Sequence, residues 1–343
     1  MSHLESESQL IVQQRKKVLL IFFFAVTGFV IMFISINIGT LFFDLNQVIS
    51  VLFGKTADTL AHQIIYNIRL PRILTGTLVG MNLALSGALL QGVLRNPLAS
   101  PQIIGVNSGA GLAAVIIMIY FPGNITMIPL GAFLGAFLAA TLVYCLAAMD
   151  VGSSTISIVL AGVAISAFLN AFTSGMMILN GDELEVTFSW LLGGLTGRGW
   201  SYFHIILPYS AVGLTAALFL SPRVNLFALG DEVSSSLGLP VKIYRVLVII
   251  TAAVLAGSAV SVAGTIGFVG LIAPHMARLL VGNDYRYMLV SSGMLGAVLL
   301  LLADTIARTV FQPVELPVGV ITAALGAPFF LYLLYRKGGN AKI

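Results

Sequence analysis

Charged residues interrupt this chain rarely, and the stretches between them are long and apolar. Intervals without Asp, Glu, Lys or Arg run between Lys17 and Asp44, Arg72 and Arg95, Arg95 and Asp150, and Asp150 and Asp182. They continue between Arg198 and Arg223, Arg245 and Arg278, Arg286 and Asp304, and Glu315 and Arg336. A helix rises about 1.5 Å per residue, so roughly 20 apolar residues cross a bilayer core. The interval after Arg95 is long enough for two crossings, broken near Pro122-Gly123-Asn124. The pattern predicts spans at 18–43, 70–94, 106–121, 125–148, 155–179, 202–220, 244–263, 288–307 and 316–335. The interval before Arg278 is too long for one helix, and Gly264, Gly267 and Gly270 break it. A short further segment is expected at about 271–281. A half-length helix of this kind must be buried in protein or line a cavity.

Charge fixes the parity. Lys and Arg favour the cytoplasmic side, and they mark both ends: Arg15, Lys16 and Lys17 at the start, Arg336, Lys337 and Lys342 at the finish. Ten crossings put both ends inside. Lys55, Arg69, Arg72, Arg198 and Arg308 then fall outside, and the remaining Lys and Arg inside. The expected fold is an all-α polytopic membrane protein with about ten transmembrane helices, one short and broken, and both termini cytoplasmic. It forms a single transmembrane domain over 1–343, with cytoplasmic tails at 1–17 and 336–343 and a cytoplasmic loop at 223–243. The first apolar segment follows a basic flank, as in a signal peptide. Its apolar core, about 26 residues, exceeds a typical signal core of roughly 7–15, so it reads as a retained helix.

Composition agrees: 58% of the 343 residues are hydrophobic and 9% are charged, which excludes an ordinary soluble domain. The single cysteine, Cys145, precludes an internal disulfide. Catalytic signals are missing. Gly54-Lys55-Thr56 resembles the end of a phosphate-binding loop, but Ile49 stands where that loop needs glycine. The four histidines are scattered, without zinc-ligand spacing. Neither an enzyme nor a bound cofactor is expected, and no nucleic-acid partner. An ion-coupled secondary transporter would carry acids or histidines deep in its spans. This chain offers Asp304, near a span end.

Several polar positions remain to be placed. Gly76 with Gly80, and Gly131 with Gly135, have the four-residue spacing that lets helices approach closely in lipid. Asn82, Ser86 and Gln91, and Ser166, Asn170, Thr173 and Ser174, either hydrogen-bond neighbouring helices or face a wet path. Arg69 and Arg72 are three apart at the outer mouth of a span and point the same way. They either snorkel to lipid phosphate or dock an acidic extracellular partner. Asp304 is expected to pair with Arg308 and leave it exposed enough to join them. Trp190 and Trp200 mark the outer interface, and Asp182, Glu183 and Glu185 a solvated loop. In the cytoplasmic loop, "ALGDEVSSSLGLP" reads as a short helix, capped at Gly230 or Asp231 and stopped by Gly238 and Pro240. Val233 and Leu237 share a face. The helix either rests on the bundle or is held by a cytoplasmic partner, because two turns are not stable alone.

The segments "RLPRILTGTLVGMNLALSGALLQGVLRNPLASPQIIGVNSGAG", "WLLGGLTGRGW", "ALGDEVSSSLG", "GTIGFVGLIAPHMARLLVG" and "ADTIARTVFQPVELPVGVITAALGAPFFLYLL" resemble the iron–siderophore and cobalamin permease family of binding-protein-dependent ABC importers. The resemblance covers roughly residues 64–335. It implies ten spans per subunit, a second permease subunit (a copy or a relative), separate cytoplasmic ATP-binding subunits that use the ATP, and an extracellular or periplasmic substrate-binding protein. It further implies that Gly230, Asp231, Glu232, Leu237 and Gly238 couple to the ATPase, and that Arg69, Arg72 and Arg308 pair with glutamates of the binding protein. The fifth span, with Ser166, Asn170, Thr173 and Ser174, lines the central path by the same resemblance. Pro274, His275 and Arg278 match a motif read as structural. The cargo implied is an iron–siderophore or related chelate, with cobalamin or haem as alternatives.

Overall fold

A bilayer core holds no water to satisfy backbone amides, so a spanning chain must pair them within itself. The computed structural model describes residues 2–39, 41–54, 59–149, 155–181 and 184–339, and within them it is helical without strands. The chain begins with α1 (Ser2–Asn37), α2 (Leu45–Leu52), α3 (Thr59–His62), a π-helical segment (Gln63–Arg69) and α4 (Leu70–Val93). A 3₁₀ turn (Pro101–Ile104) leads to α5 (Val106–Tyr120), α6 (Ile128–Ala148), α7 (Thr155–Leu179) and α8 (Leu184–Leu192). The remainder is α9 (Trp200–Phe227), α10 (Asp231–Ser236), α11 (Val241–Ala263), α12 (Val269–Val281), α13 (Tyr285–Ala307) and α14 (Val318–Gly339). Seven of these helical stretches are long and apolar enough to cross a membrane, and α5, α12 and α14 supply three shorter apolar helices. They correspond to the ten expected crossings.

The glycine-broken segment is as anticipated. α11 stops at Ala263, where Gly264 takes φ +71°. α12 then restarts at Val269 and runs for 13 residues, about 20 Å at the helical rise. It is too short to cross alone and packs against α13 and α4.

α4 and α11 form the centre of the bundle: 78% of each spanning window is buried, against 17% for α7. Small residues set this packing. A β-carbon on Gly80 would strike the Gly296 carbonyl on α13, and one on Gly87 the Gly270 carbonyl on α12. Gly109 on α5 and Gly135 on α6 meet in the same way. Polar side chains on α4 bond to neighbouring helices, although Thr75 Oγ1, Asn82 Oδ1 and Gln91 Nε2 are buried without a partner. Asn82 Nδ2 donates to Ser210 Oγ at 2.8 Å and Ser258 Oγ at 3.1 Å. Ser86 Oγ donates to the Ala252 carbonyl at 2.7 Å, and Gln91 Oε1 accepts from Arg278 at 3.1 Å.

Some boundaries differ from expectation. Residues 2–17 are helical and continuous with α1, and α1 ends at Asn37, short of residue 43. Asp44 instead starts α2, with Gln47 completing a capping box. The segment that holds Glu185 is helical, α8, instead of a solvated loop. Lys55, Thr56, Asp150, Asp182, Glu183 and Lys342 lie outside the described residues.

Candidate functional sites at the two ends of the bundle

From Arg72 to Arg95 the chain climbs about 35 Å along α4. This matches a hydrocarbon core with its margins. The polar clusters sit at the two ends of that climb.

At the Arg95 end stands α10. Gly230 is its N-cap at φ +99°, a conformation that a β-carbon disfavours. Ser234 is fully buried and donates to the carbonyls of Leu226 at 2.7 Å and Gly230 at 2.6 Å, tying α10 to the end of α9. Asp231 Oδ2 accepts from Arg245 of α11 at 2.6 Å, and Arg95 lies 3.9 Å from Asp231 Oδ1. Arg245 is largely buried, with its guanidinium over the Phe227 ring. One carboxylate thus joins α10 to α11 and to the end of α4. Glu232 and Gly238 are exposed, and so are Val233 (46%) and Leu237 (60%). The shared apolar face anticipated for Val233 and Leu237 is uncovered. Arg95 and Arg245 entered the sequence reading only as charges that set orientation; their partner 14 or more residues away left no local signal.

At the Arg72 end lies a second network. Arg72 bonds Asp304 through Nε (3.2 Å to each oxygen) and Nη2 (2.9 Å), and Glu315 through Nη1 (2.9 Å). Thr196 Oγ1 donates to the same Glu315 oxygen at 2.8 Å. Arg69 donates to the carbonyls of Ile36 (2.6 Å), Asn37 (3.3 Å) and Leu41 (2.6 Å). Arg308 donates to the Ser35 carbonyl at 2.6 Å and stands 3.7 Å from Asp304. This corrects the expectation of an exposed arginine rim. Arg69, Arg72 and Arg308 are only 5%, 6% and 5% exposed. The cause is physical: the last turn of α1 leaves orphan carbonyls that attract cations, and Asp304 takes Arg72 as its closest partner, ahead of Arg308. Glu315 and Thr196 were not anticipated as members of the cluster.

Glu315 lies outside the spans, and its acidity is set by opposing effects. Burial raises its pKa, but the Arg72 charge, the Thr196 hydroxyl and Arg308 outweigh burial and hold it below the ordinary 4.5. A lowered folded value means that the Glu315 contribution is fully present above the unfolded pKa. It disappears as pH falls through the folded one. Thermal unfolding followed below pH 4.5 is expected to show a steeper loss for the natural chain than for Glu315→Gln. Parallel curves would remove this assignment.

Between the two ends lies a polar cavity of about 480 Å³. Ser166, Asn170, Thr173 and Ser174 line it together from one face of α7, opposite Gln102, Asn107 and Ser108. Asn107 Oδ1 and Ser166 Oγ are buried without a hydrogen-bond partner. Asn170 and Ser174 are exposed, so the cavity opens to the outside of this chain.

Residues 26–336 match the FecCD transport family. The chain is 41% identical over 311 residues to the Fe(3+)-citrate import system permease protein YfmE of Bacillus subtilis, covering 90% of this chain and 92% of that one. It is 43% identical over 279 residues to the Fe(3+)-citrate import system permease protein YfmD of Bacillus subtilis, covering 81% and 83%. It is 43% identical over 275 residues to the cobalamin import system permease protein BtuC of Halobacterium salinarum, covering 80% and 74%. Among solved structures, a metal-chelate type ABC transporter in an inward-facing conformation superposes with TM-score 0.83 at 31% identity. That match covers 92% of this chain and 99% of that one. A glycine-broken multi-pass bundle with a short helix at one end and similarity over nearly its whole length leaves one assignment: the chain is a membrane permease that belongs to the FecCD transport family.

Proposed function

We propose that this chain is the membrane-spanning subunit of an ATP-driven importer that brings an iron chelate into the cell. The observation that carries the coupling role is the uncovered face of α10. Val233 and Glu232 project from a six-residue helix, and Leu237 from its C-cap, and such a helix holds no stability of its own. A separate ATP-hydrolysing subunit is the partner whose surface this face fits. Within α10 the roles divide. Glu232 and Leu237 meet the partner, Gly230 and Gly238 shape the two ends, and Asp231 fastens the helix to α4 and α11.

The open cavity supports a second permease subunit. Asn170 and Ser174 would otherwise present polar groups to lipid, which is costly. A partner helix laid against α7 would close the cavity into a path lined by Ser166, Asn170, Thr173 and Ser174. At the other end, a delivery protein is the partner proposed for the outer face, which Arg69, Arg72 and Arg308 brace from beneath through Asp304, Glu315 and the end of α1 without touching it. The preference for iron follows the iron-citrate relatives, and the cobalamin relative defines the alternative.

The test is uptake of labelled ferric citrate, ferric hydroxamate and cobalamin into vesicles that contain this chain, the ATPase and the binding protein. ATP-dependent accumulation of iron is expected. Uptake of cobalamin alone would reassign the cargo. Uptake that persists without the ATPase and collapses with an uncoupler would overturn the reading.

A further inference from the structure

Beside the Arg72 network lies a pocket of about 440 Å³ that the transport reading leaves unused. Its walls are mostly apolar, with Ile128, Pro129, Val186, Trp190 and Tyr202 among them. The volume falls within the range of small-molecule sites, roughly 300–1,000 Å³. Arg198 enters it from the loop between α8 and α9.

Among the described residues, each other arginine at this end has its charge answered. Arg72 has two carboxylates, Arg308 has Asp304 and a carbonyl, and Arg69 has three carbonyls. Among the described residues Arg198 has no carboxylate within ion-pair distance, and Tyr202 is its one side-chain partner. Its guanidinium lies over the Tyr202 ring at 4.5 Å, and its Nε is buried without a hydrogen-bond partner. Glu315 lines the same pocket, but its bonds go to Arg72 and Thr196. Burial draws the Arg198 pKa below its ordinary value, and Tyr202 offsets part of that. A guanidinium does not shed its proton at physiological pH. A partly enclosed cation with an unused donor is therefore relieved by an anion, and a planar donor fork suits an oxyanion.

We infer that Arg198 and this pocket form a binding site for an amphiphilic anion, with a carboxylate or phosphate on the guanidinium and an apolar body against Trp190, Tyr202 and Ile128. The ligand comes either from solution, as an anionic chelate, or from the membrane, as an acidic lipid headgroup. The site is on this chain alone and does not depend on ATP coupling, so its failure would leave the transport reading intact.

The test is calorimetry on the full chain in phosphatidylcholine nanodiscs, titrated with ferric citrate and with a neutral ferric hydroxamate of similar size. Saturable binding of the citrate complex is expected, weakened about tenfold or more in Arg198→Gln and less in Arg198→Lys, a point charge without the fork. Equal thermal midpoints for the variants establish that the fold is kept. A repeat with phosphatidylglycerol nanodiscs separates the sources: lipid that displaces citrate from the natural chain but has no effect on Arg198→Gln occupies the same site. Equal citrate binding by Arg198→Gln and the natural chain, equal binding of the neutral complex, or no saturable binding in phosphatidylcholine together with no dependence on acidic lipid would each overturn the inference.

Discussion

Asparagine at position 304 is expected to destabilise the folded chain by about 3–5 kcal/mol, the usual cost of breaking a buried ion pair from one side. The Asp304 side chain is 1% exposed and that of Arg72 8%. Asparagine keeps the shape but removes the charge that answers Arg72 on one side and Arg308 on the other. Glu315, 35% exposed, is a weaker substitute for Arg72. The measurement is detergent-driven unfolding in mixed micelles, followed by loss of helicity. Pairing Asp304→Leu with Arg72→Met is expected to recover part of the loss, because an apolar pair carries no desolvation cost. A loss below about 1 kcal/mol for Asp304→Asn would place the pair with solvent-exposed bridges and remove it as a stabilising feature of this end.

Arg245→Gln is expected to lower the chelate moved per ATP about tenfold, within the usual range of coupling between sites, while the ATPase subunit still binds. The geometry makes Asp231 a fastening, with 2.6 Å to Arg245 and 3.9 Å to Arg95. Without it, α10 would still meet its partner through Glu232 and Leu237, but its displacement would no longer pull on α11 and α4. Exchanging the charges, Asp231→Arg with Arg245→Asp, is expected to restore at least half of the coupling ratio. Transport per ATP that is unaffected by Arg245→Gln would sink this account, as would an exchanged pair no better than the single change.

The spans were readable because a membrane helix declares itself by length and by lack of charge, and neither depends on distant residues. α7 falls on its expected residues, and α4 ends one residue early. The break before α12 was readable because glycines interrupt an interval too long for one helix. What stayed hidden was made by distance along the chain. Arg72 and Asp304 are 232 residues apart, and the carbonyls that hold Arg69 belong to the end of α1 and the loop after it, 28–33 residues earlier. Burial of these arginines therefore could not be inferred from "RLPR". The short helices α2, α3 and α8, of four to nine residues, are too brief for a span pattern. The cavity lies between these cases. The spacing of Ser166, Asn170, Thr173 and Ser174 puts them on one helix face, but the opposite wall, with Asn107 and Gln102, appears only in the fold.

The glycine contacts along α4 limit how this bundle evolves. Where Gly80 meets Gly296 and Gly87 meets Gly270, any added methyl calls for a smaller residue opposite, and none exists. Compensating exchanges are closed at those positions, so the spacing of α4 from α12 and α13 is one that only glycine on both sides permits.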